Sequence, residues 1–315
     1  MMTNNLTFLM SGQGSQYPNM GNDFIQQHSH FKNKFNECLE YLDKHGCSLS
    51  EVWGNEEINQ TKYTQGALFA IEYASACFWQ HHGITPHILI GHSIGEIVAA
   101  TFAGVMSLDQ ACFLVTQRSK LMDAVNVDGA MLAILAPENK WIKTLPNSLD
   151  IALYNAESQI VVSGLSTDIK AYASLLKDHG IRSIEINVSH PFHSRFMSGC
   201  VNDFEASISN IAFKKPDFPI IGNVNATVID QYDSSYWGDH IIEPVKFYQS
   251  IQLSLKLGAN VFLECGPQPT LVKIIKRSLP ENITTLYTMD KNIDSEKHVF
   301  DVLKSLSKLG FHIKI

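Results

Sequence analysis

Gly91-His92-Ser93-Ile94-Gly95 is the stretch of the chain whose residue types and spacing could do chemistry most directly. An apolar run at 87–90 precedes it and a helical pattern at 96–103 follows. The serine therefore sits where a strand turns sharply into a helix, the context that gives G-x-S-x-G its meaning. The flanking glycines leave room for a tight turn that presents the hydroxyl. The start of the helix aims free N–H groups and a positive dipole end at the same spot. Such a serine suits attack on a carbonyl and stabilisation of the resulting oxyanion. A free hydroxyl is a weak nucleophile and needs a base. The chain has 13 histidines, so composition does not choose one. His92 adjoins Ser93, but neighbouring side chains in a tight elbow diverge. His190 and His193 bracket a Pro-Phe pair at a junction of the chain, and junctions often border clefts. On the residues alone the base stays open.

A second feature is Ser11-Gly12-Gln13-Gly14-Ser15-Gln16, behind the apolar strand pattern 6–10. Its backbone could approach a ligand closely; it could equally be a plain strand-to-helix turn. The Gly-Lys-Ser/Thr ending of a phosphate loop is absent. Arg118 lies on a helical pattern opened by Ser107, a suitable N-cap. By helix pattern alone an arginine there is a surface residue.

Elements must position these groups. Helical patterning runs through Phe24, Phe31, Phe35, Leu39 and Leu42, and again from Thr64 to His82. Strand, helix, strand, helix predicts an open α/β sheet with a parallel core and a site at the carboxyl edge of its strands. From residue 128 the texture changes. A strand (130–135), a short helix begun by Pro137 and ending near Leu145, a hairpin (151–155 and 159–164), a helix (168–179) and a strand (182–188) follow. The order β-α-β-β-α-β is the ferredoxin-like pattern, read as an insert, residues 128–189, between two parts of a larger domain, 1–127 and 190–315. Beyond it the pattern predicts a helix reaching Ile211, a strand at 220–224, a helix opening at Glu243, a strand at 261–265 and a final helix at 299–309.

Composition excludes several classes. Net charge is −7 with scattered basic residues, which disfavours nucleic acid and anionic membranes. Six cysteines lie far apart with no C-x-x-C, which predicts reduced thiols and neither a disulfide framework nor a zinc site. No metal-ligand spacing is present. The N-terminus lacks a basic leader region and no apolar run is long enough to span a bilayer, so a cytoplasmic protein is expected.

Five stretches occur in one order over nearly the whole chain: Ser11–Gln16, Gly91–Glu96, Gln117-Arg118, Ser189-His190-Pro191-Phe192-His193-Ser194 and Glu264-Cys265-Gly266-Pro267. In these the chain resembles the malonyl-CoA:acyl carrier protein transacylases and the acyltransferase domains of polyketide synthases. The resemblance implies an α/β-hydrolase-like parallel sheet core with an inserted ferredoxin-like subdomain. It implies Ser93 as nucleophile and His193 as base, the latter oriented by a backbone carbonyl at Lys246. It implies an oxyanion hole from the amides of Gln13 and Ile94, and Arg118 as the clamp on the free carboxylate of a malonyl group. Bulky Phe192 and Ile94 would favour malonyl over methylmalonyl. Malonyl-CoA and a phosphopantetheinylated acyl carrier protein are then the substrates, no cofactor or metal is needed, and a monomer is expected. Relatives serving fatty acid synthesis usually carry Pro where Ser11 stands, so the sequence is more like discrete acyltransferases of polyketide pathways. Some of that branch hydrolyse acyl-carrier thioesters with the same Ser/His pair; Arg118 speaks against that alternative.

Overall fold

The alternating pattern resolves into two sheets in the computed structural model, which describes residues 4–186 and 188–314. Asn187, inside the expected strand 182–188, and residues 1–3 of the N-terminus lie outside the described residues. In chain order the strands are β1 (Asn5–Met10), β2 (Ile88–Gly91), β3 (Gly129–Ile134), β4 (Asp150–Ala156), β5 (Gln159–Leu165), β6 (Ser183–Ile186), β7 (Ile220–Ile221), β8 (Ala259–Glu264) and β9 (Thr284–Tyr287).

The larger sheet has the order β7-β2-β1-β8-β9, and every pair in it is parallel. Its central strands are continuous apolar runs because helices cover both faces. Along β1, Phe8 and Met10 point into one core, with Phe69 and Ile71 of helix Thr61–His81 and Ile97 of helix Ile94–Phe102. Leu9 between them points into the other, with Ile90, Phe262 and Phe247 of helix Phe247–Lys256. This is the two-residue period of a strand buried on both sides. Met10 pairs with Gly91 at the ends of β1 and β2. The glycine loop and the serine elbow therefore leave neighbouring strands side by side. β7 pairs with β2 on its other flank, which brings residues 222–223 up beside the elbow.

The smaller sheet is antiparallel, in the order β4-β5-β3-β6, with helix Ser166–Asp178 packing Ile169, Tyr172 and Leu176 onto Leu132, Ile160 and Val162. That strand order is the ferredoxin-like one. Its first helix differs from expectation: residues 138–144 form two 3-10 turns, Glu138–Lys140 and Ile142–Thr144. Trp141 between them is buried, and its indole N–H donates to the Ala136 carbonyl at 3.2 Å, which folds the segment back on itself. Other differences are local. The first helical stretch breaks at His28 into Asn22–Gln27 and Ser29–Lys44. The helix after the insert opens as a 3-10 turn, Arg195–Cys200, before Val201–Ile208. The strand expected at 220–224 keeps only two residues. Helix Ser234–Ile242 and β9 were not expected. Ser107 does cap its helix, in a reciprocal capping box with Gln110.

Among the described residues no helix is long and apolar enough to cross a membrane, and no group of three or more His, Cys, Asp or Glu is placed to hold a metal ion. All six cysteines are free and buried.

Candidate active site

The elbow depends on its glycines for space. A Cβ on Gly91 would lie 2.0 Å from the Glu96 nitrogen, and one on Gly95 would lie 2.3 Å from the Met10 carbonyl oxygen. Ser93 takes φ 51° and ψ −121°. Such a backbone costs about 1–3 kcal/mol for a residue with a side chain and persists only where its surroundings hold it. Here Asn223 Oδ1 accepts the Ser93 N–H at 2.7 Å, and Asn223 Nδ2 donates to the Gly91 carbonyl at 2.6 Å.

The structure brings Ser93 and His193 together across one hundred residues, with Oγ 2.8 Å from Nε2. His193 also has positive φ, 53°, and its Nδ1 lies 3.1 Å from the Glu243 carbonyl oxygen. A carbonyl can only accept, so Nδ1 carries the proton and Nε2 keeps the lone pair that faces the serine. The ring is buried, and burial, with lesser contributions from His240, Arg118 and His92, holds its pKa well below the ordinary histidine value. At neutral pH it is an uncharged imidazole ready to take a proton.

The orienting carbonyl corrects the expectation of Lys246. The Lys246 carbonyl is already committed to the first turn of its helix, accepting from the Ser250 N–H and hydroxyl, both at 3.0 Å. Glu243 ends the preceding helix in an extended conformation, φ −75° and ψ 151°, which Pro244 after it enforces. Its carbonyl is thereby left pointing at the imidazole.

Arg118 is 2% exposed, so the surface reading of its helix pattern fails. Nη1 donates to Gln65 Oε1 at 2.6 Å and Nη2 reaches Ser93 Oγ at 3.4 Å, while Nε has no partner. Burial draws its pKa down to about 10, so it stays charged at neutral pH. Among the described residues no carboxylate pairs with it. A buried cation beside a serine hydroxyl, its fork partly unspent, is suited to pairing with an anion.

These groups line a cavity of about 70 Å³. Gln13, Ser93, Arg118, Phe192 and His193 face Met131, Leu153 and Ile186 of the smaller sheet across it. A wider, more polar cleft of about 590 Å³ shares Gln13, Ile186 and Val188 with it. Phe192 is buried and forms part of the wall. Gln13 also lines the cavity, and the amides of Gln13 and Ile94 donate to no protein group among the described residues. The Ile94 side chain packs into the main core instead of lining the cavity, because it opens the elbow helix against the sheet; this corrects its expected steric role. His92 turns away from the serine, with Nε2 2.8 Å from Asn155 Oδ1, and His190 Nδ1 contacts the Ser189 hydroxyl at 2.7 Å. Neither contacts Ser93 Oγ.

The acyl transferase domain model matches residues 7–310. The chain belongs to the acyl transferase domain family. Mycoketide-CoA synthase of Mycobacterium tuberculosis is 37% identical over 292 residues, covering 90% of this chain, and a spectinabilin polyketide synthase system protein of Streptomyces orinoci is 35% identical over 290 residues, covering 88%. The chain spans only 7% and 13% of those two proteins' lengths. Among solved structures, the acyltransferase domain from the second module of the salinomycin polyketide synthase superposes with a TM-score of 0.93 at 30% identity, over 98% of this chain and 75% of that one. The malonyl CoA-acyl carrier protein transacylase from Clostridium perfringens does so with a TM-score of 0.86 at 27% identity, over 97% and 99%.

Reading this acyl transferase domain from sequence missed Glu243, Asn223 and Gln65. A backbone carbonyl leaves no mark on residue type, so Glu243 carried no signal beyond the proline after it. Asn223 and Gln65 are amides in apolar surroundings, Ile220-Ile221-Gly222-Asn223 and Gln65-Gly66-Ala67-Leu68. A polar residue in such a run needs a partner, and that was the signal available.

Proposed function

We propose that the chain moves a malonyl group from malonyl-CoA to the phosphopantetheine thiol of an acyl carrier protein, in polyketide assembly. The observation that carries this reading is the buried Arg118 guanidinium, in no salt bridge among the described residues and 3.4 Å from Ser93 Oγ. His193 Nε2 takes the hydroxyl proton as Oγ attacks the thioester carbonyl. The amides of Gln13 and Ile94 receive the oxyanion, each such donor being worth roughly 2.7–4 kcal/mol. Collapse expels the CoA thiolate, which takes the proton back from Nε2, and malonyl stays on Ser93 as an ester. The carrier thiol then gives its proton to Nε2 and attacks, and the second collapse regenerates the serine. Arg118 holds the malonyl carboxylate through both halves. Phe192 narrows the space beside the α-carbon; an extra methyl there costs about 1–3 kcal/mol, enough for a preference. The polar cleft beside Gln13 suits the pantetheine arm. No cofactor takes part. Residues 128–189 act as a small subdomain over a core of 1–127 and 190–315, and a cytoplasmic monomer goes with this reading.

Intact-mass measurement after mixing with malonyl-CoA tests it. One malonyl group should add to the protein, be absent from Ser93→Ala, and leave when phosphopantetheinylated carrier protein is supplied. Arg118→Ala leaves the malonate unpaired in a buried site, so malonyl loading should fall by about 100-fold or more, with acetyl loading improved. Rapid release of free acid, with acetyl or longer thioesters preferred, would mean a hydrolase and overturn the proposal.

A further inference from the structure

Asn223 is spent entirely on the two halves of the site. It is 1% exposed and follows β7 beside the elbow. Its side-chain amide grips the elbow on both sides of His92, accepting from the Ser93 N–H at 2.7 Å and donating to the Gly91 carbonyl at 2.6 Å. Its own N–H donates to Glu96 Oε2 at 2.7 Å, on the helix that leaves the elbow. The other oxygen of that buried carboxylate accepts the hydroxyls of Tyr232 at 3.0 Å and Tyr236 at 2.6 Å. The Asn223 carbonyl accepts the Lys246 N–H at 3.0 Å, three residues beyond the carbonyl that orients His193. Each of its four polar atoms has a partner, and together they tie the segment bearing the nucleophile to the segment aiming the base.

We propose that Asn223 is a positioning residue: it clamps the elbow in its left-handed turn and pins residues 243–246 against it, and so sets the approach of Ser93 Oγ to His193 Nε2. The inference rests on the Ser/His reading given under Proposed function. An amide is the side chain suited to the elbow half of this task, because it accepts toward Ser93 and donates toward Gly91 at once. An ionised carboxylate supplies the acceptor alone, and alanine supplies neither. Without the clamp the Ser93 backbone relaxes and Oγ leaves its line to Nε2; a displacement of about 1 Å can cost 100-fold in rate. Among the described residues Asn223 makes no hydrogen bond to Arg118, Phe192 or the smaller-sheet side chains that line the cavity, so the loss falls on the rate and spares substrate binding.

The test compares the parent with Asn223→Ala and Asn223→Asp. A fluorophosphonate probe reads Ser93 reactivity without any acyl substrate. Malonyl loading is followed to saturation, and both rates are normalised to the folded fraction by near-ultraviolet circular dichroism. For Asn223→Ala the expected result is phosphonylation and kcat lowered about tenfold or more, with KM within about twofold. Asn223→Asp should speed up as the pH falls and its carboxyl gains the proton it needs to donate to Gly91. The parent stays level there, because His193 remains neutral until the pH drops below the ordinary histidine value of about 6.5. Parental phosphonylation in the alanine variant, a loss confined to KM, or a parental pH profile in the aspartate variant would overturn the proposal. If the alanine variant does not fold, the aspartate profile decides. A parent that reacts with the probe but never loads malonyl would sink the malonyl reading alone, and the probe rates would still judge Asn223.

Discussion

His193 is held by a backbone carbonyl where many serine enzymes place a carboxylate. A carboxylate beside an imidazole stabilises its charged form and raises its pKa; the Glu243 carbonyl does so only weakly, and burial wins. The sign follows directly. In the proposed mechanism His193 acts as base when neutral, and its pKa lies well below the ordinary value of about 6.5. The malonyl loading rate should be level through neutral pH and fall only as the pH drops beneath that value. Stopped-flow or quench-mass rates against pH would check this, and an inflection at or above neutrality would contradict it. The elbow that presents Ser93 was legible from its own glycines. His193 was legible only through the order of motifs along the chain, because nothing in local composition separates it from His190. The buried state of Arg118 ran against its helix pattern: the turn bearing it packs under the elbow, which periodicity in one helix does not reveal.

The elements that carry these side chains were legible where their pattern is long or their caps explicit. Ser107 with Gln110 three residues on is such a case, and so is the apolar run before the elbow. Short irregular pieces were not: β7 keeps two residues because the chain turns at Gly222 to deliver Asn223, and the 138–144 segment yields to the burial of Trp141. The elbow itself makes a demand of known direction. Gly95 has the Met10 carbonyl where its Cβ would go, whereas Gly199 has open space and ordinary φ. Gly95→Ala should therefore destabilise the fold by about 3 kcal/mol or more, as overpacking against backbone does. Gly199→Ala should fall within about 0.5 kcal/mol of the parent. Urea midpoints for the two variants measure the contrast; equal midpoints would deny that crowding shapes this turn.

At the scale of the whole molecule the cavity exists only because two sheets face each other. Among the described residues, ties of three kinds join them. His92 on the elbow meets Asn155 on β4 at 2.8 Å, residues 152–154 exchange backbone bonds with Val245, and Asp150 pairs with Arg195 at the surface. They differ in exposure, and that decides their worth. Asn155→Ala strands a buried imidazole nitrogen, which costs about 1–3 kcal/mol, and it should also widen the acyl pocket's tolerance. Arg195→Ala removes a pair whose arginine end is exposed and should leave the thermal midpoint close to the parent's. Calorimetry on both variants checks the ranking. The two-sheet division was readable from the change of texture at residue 128. The ties were not, since each joins residues tens of positions apart.

The Glu243 carbonyl has one more consequence. A main-chain oxygen cannot be substituted away, so natural variation at position 243 has no handle on the proton acceptor's alignment. What it can reach is Pro244, whose ring keeps the preceding residue extended. The heritable information for aiming the imidazole is thus stored one position downstream, in a residue that never touches the ring through any polar atom.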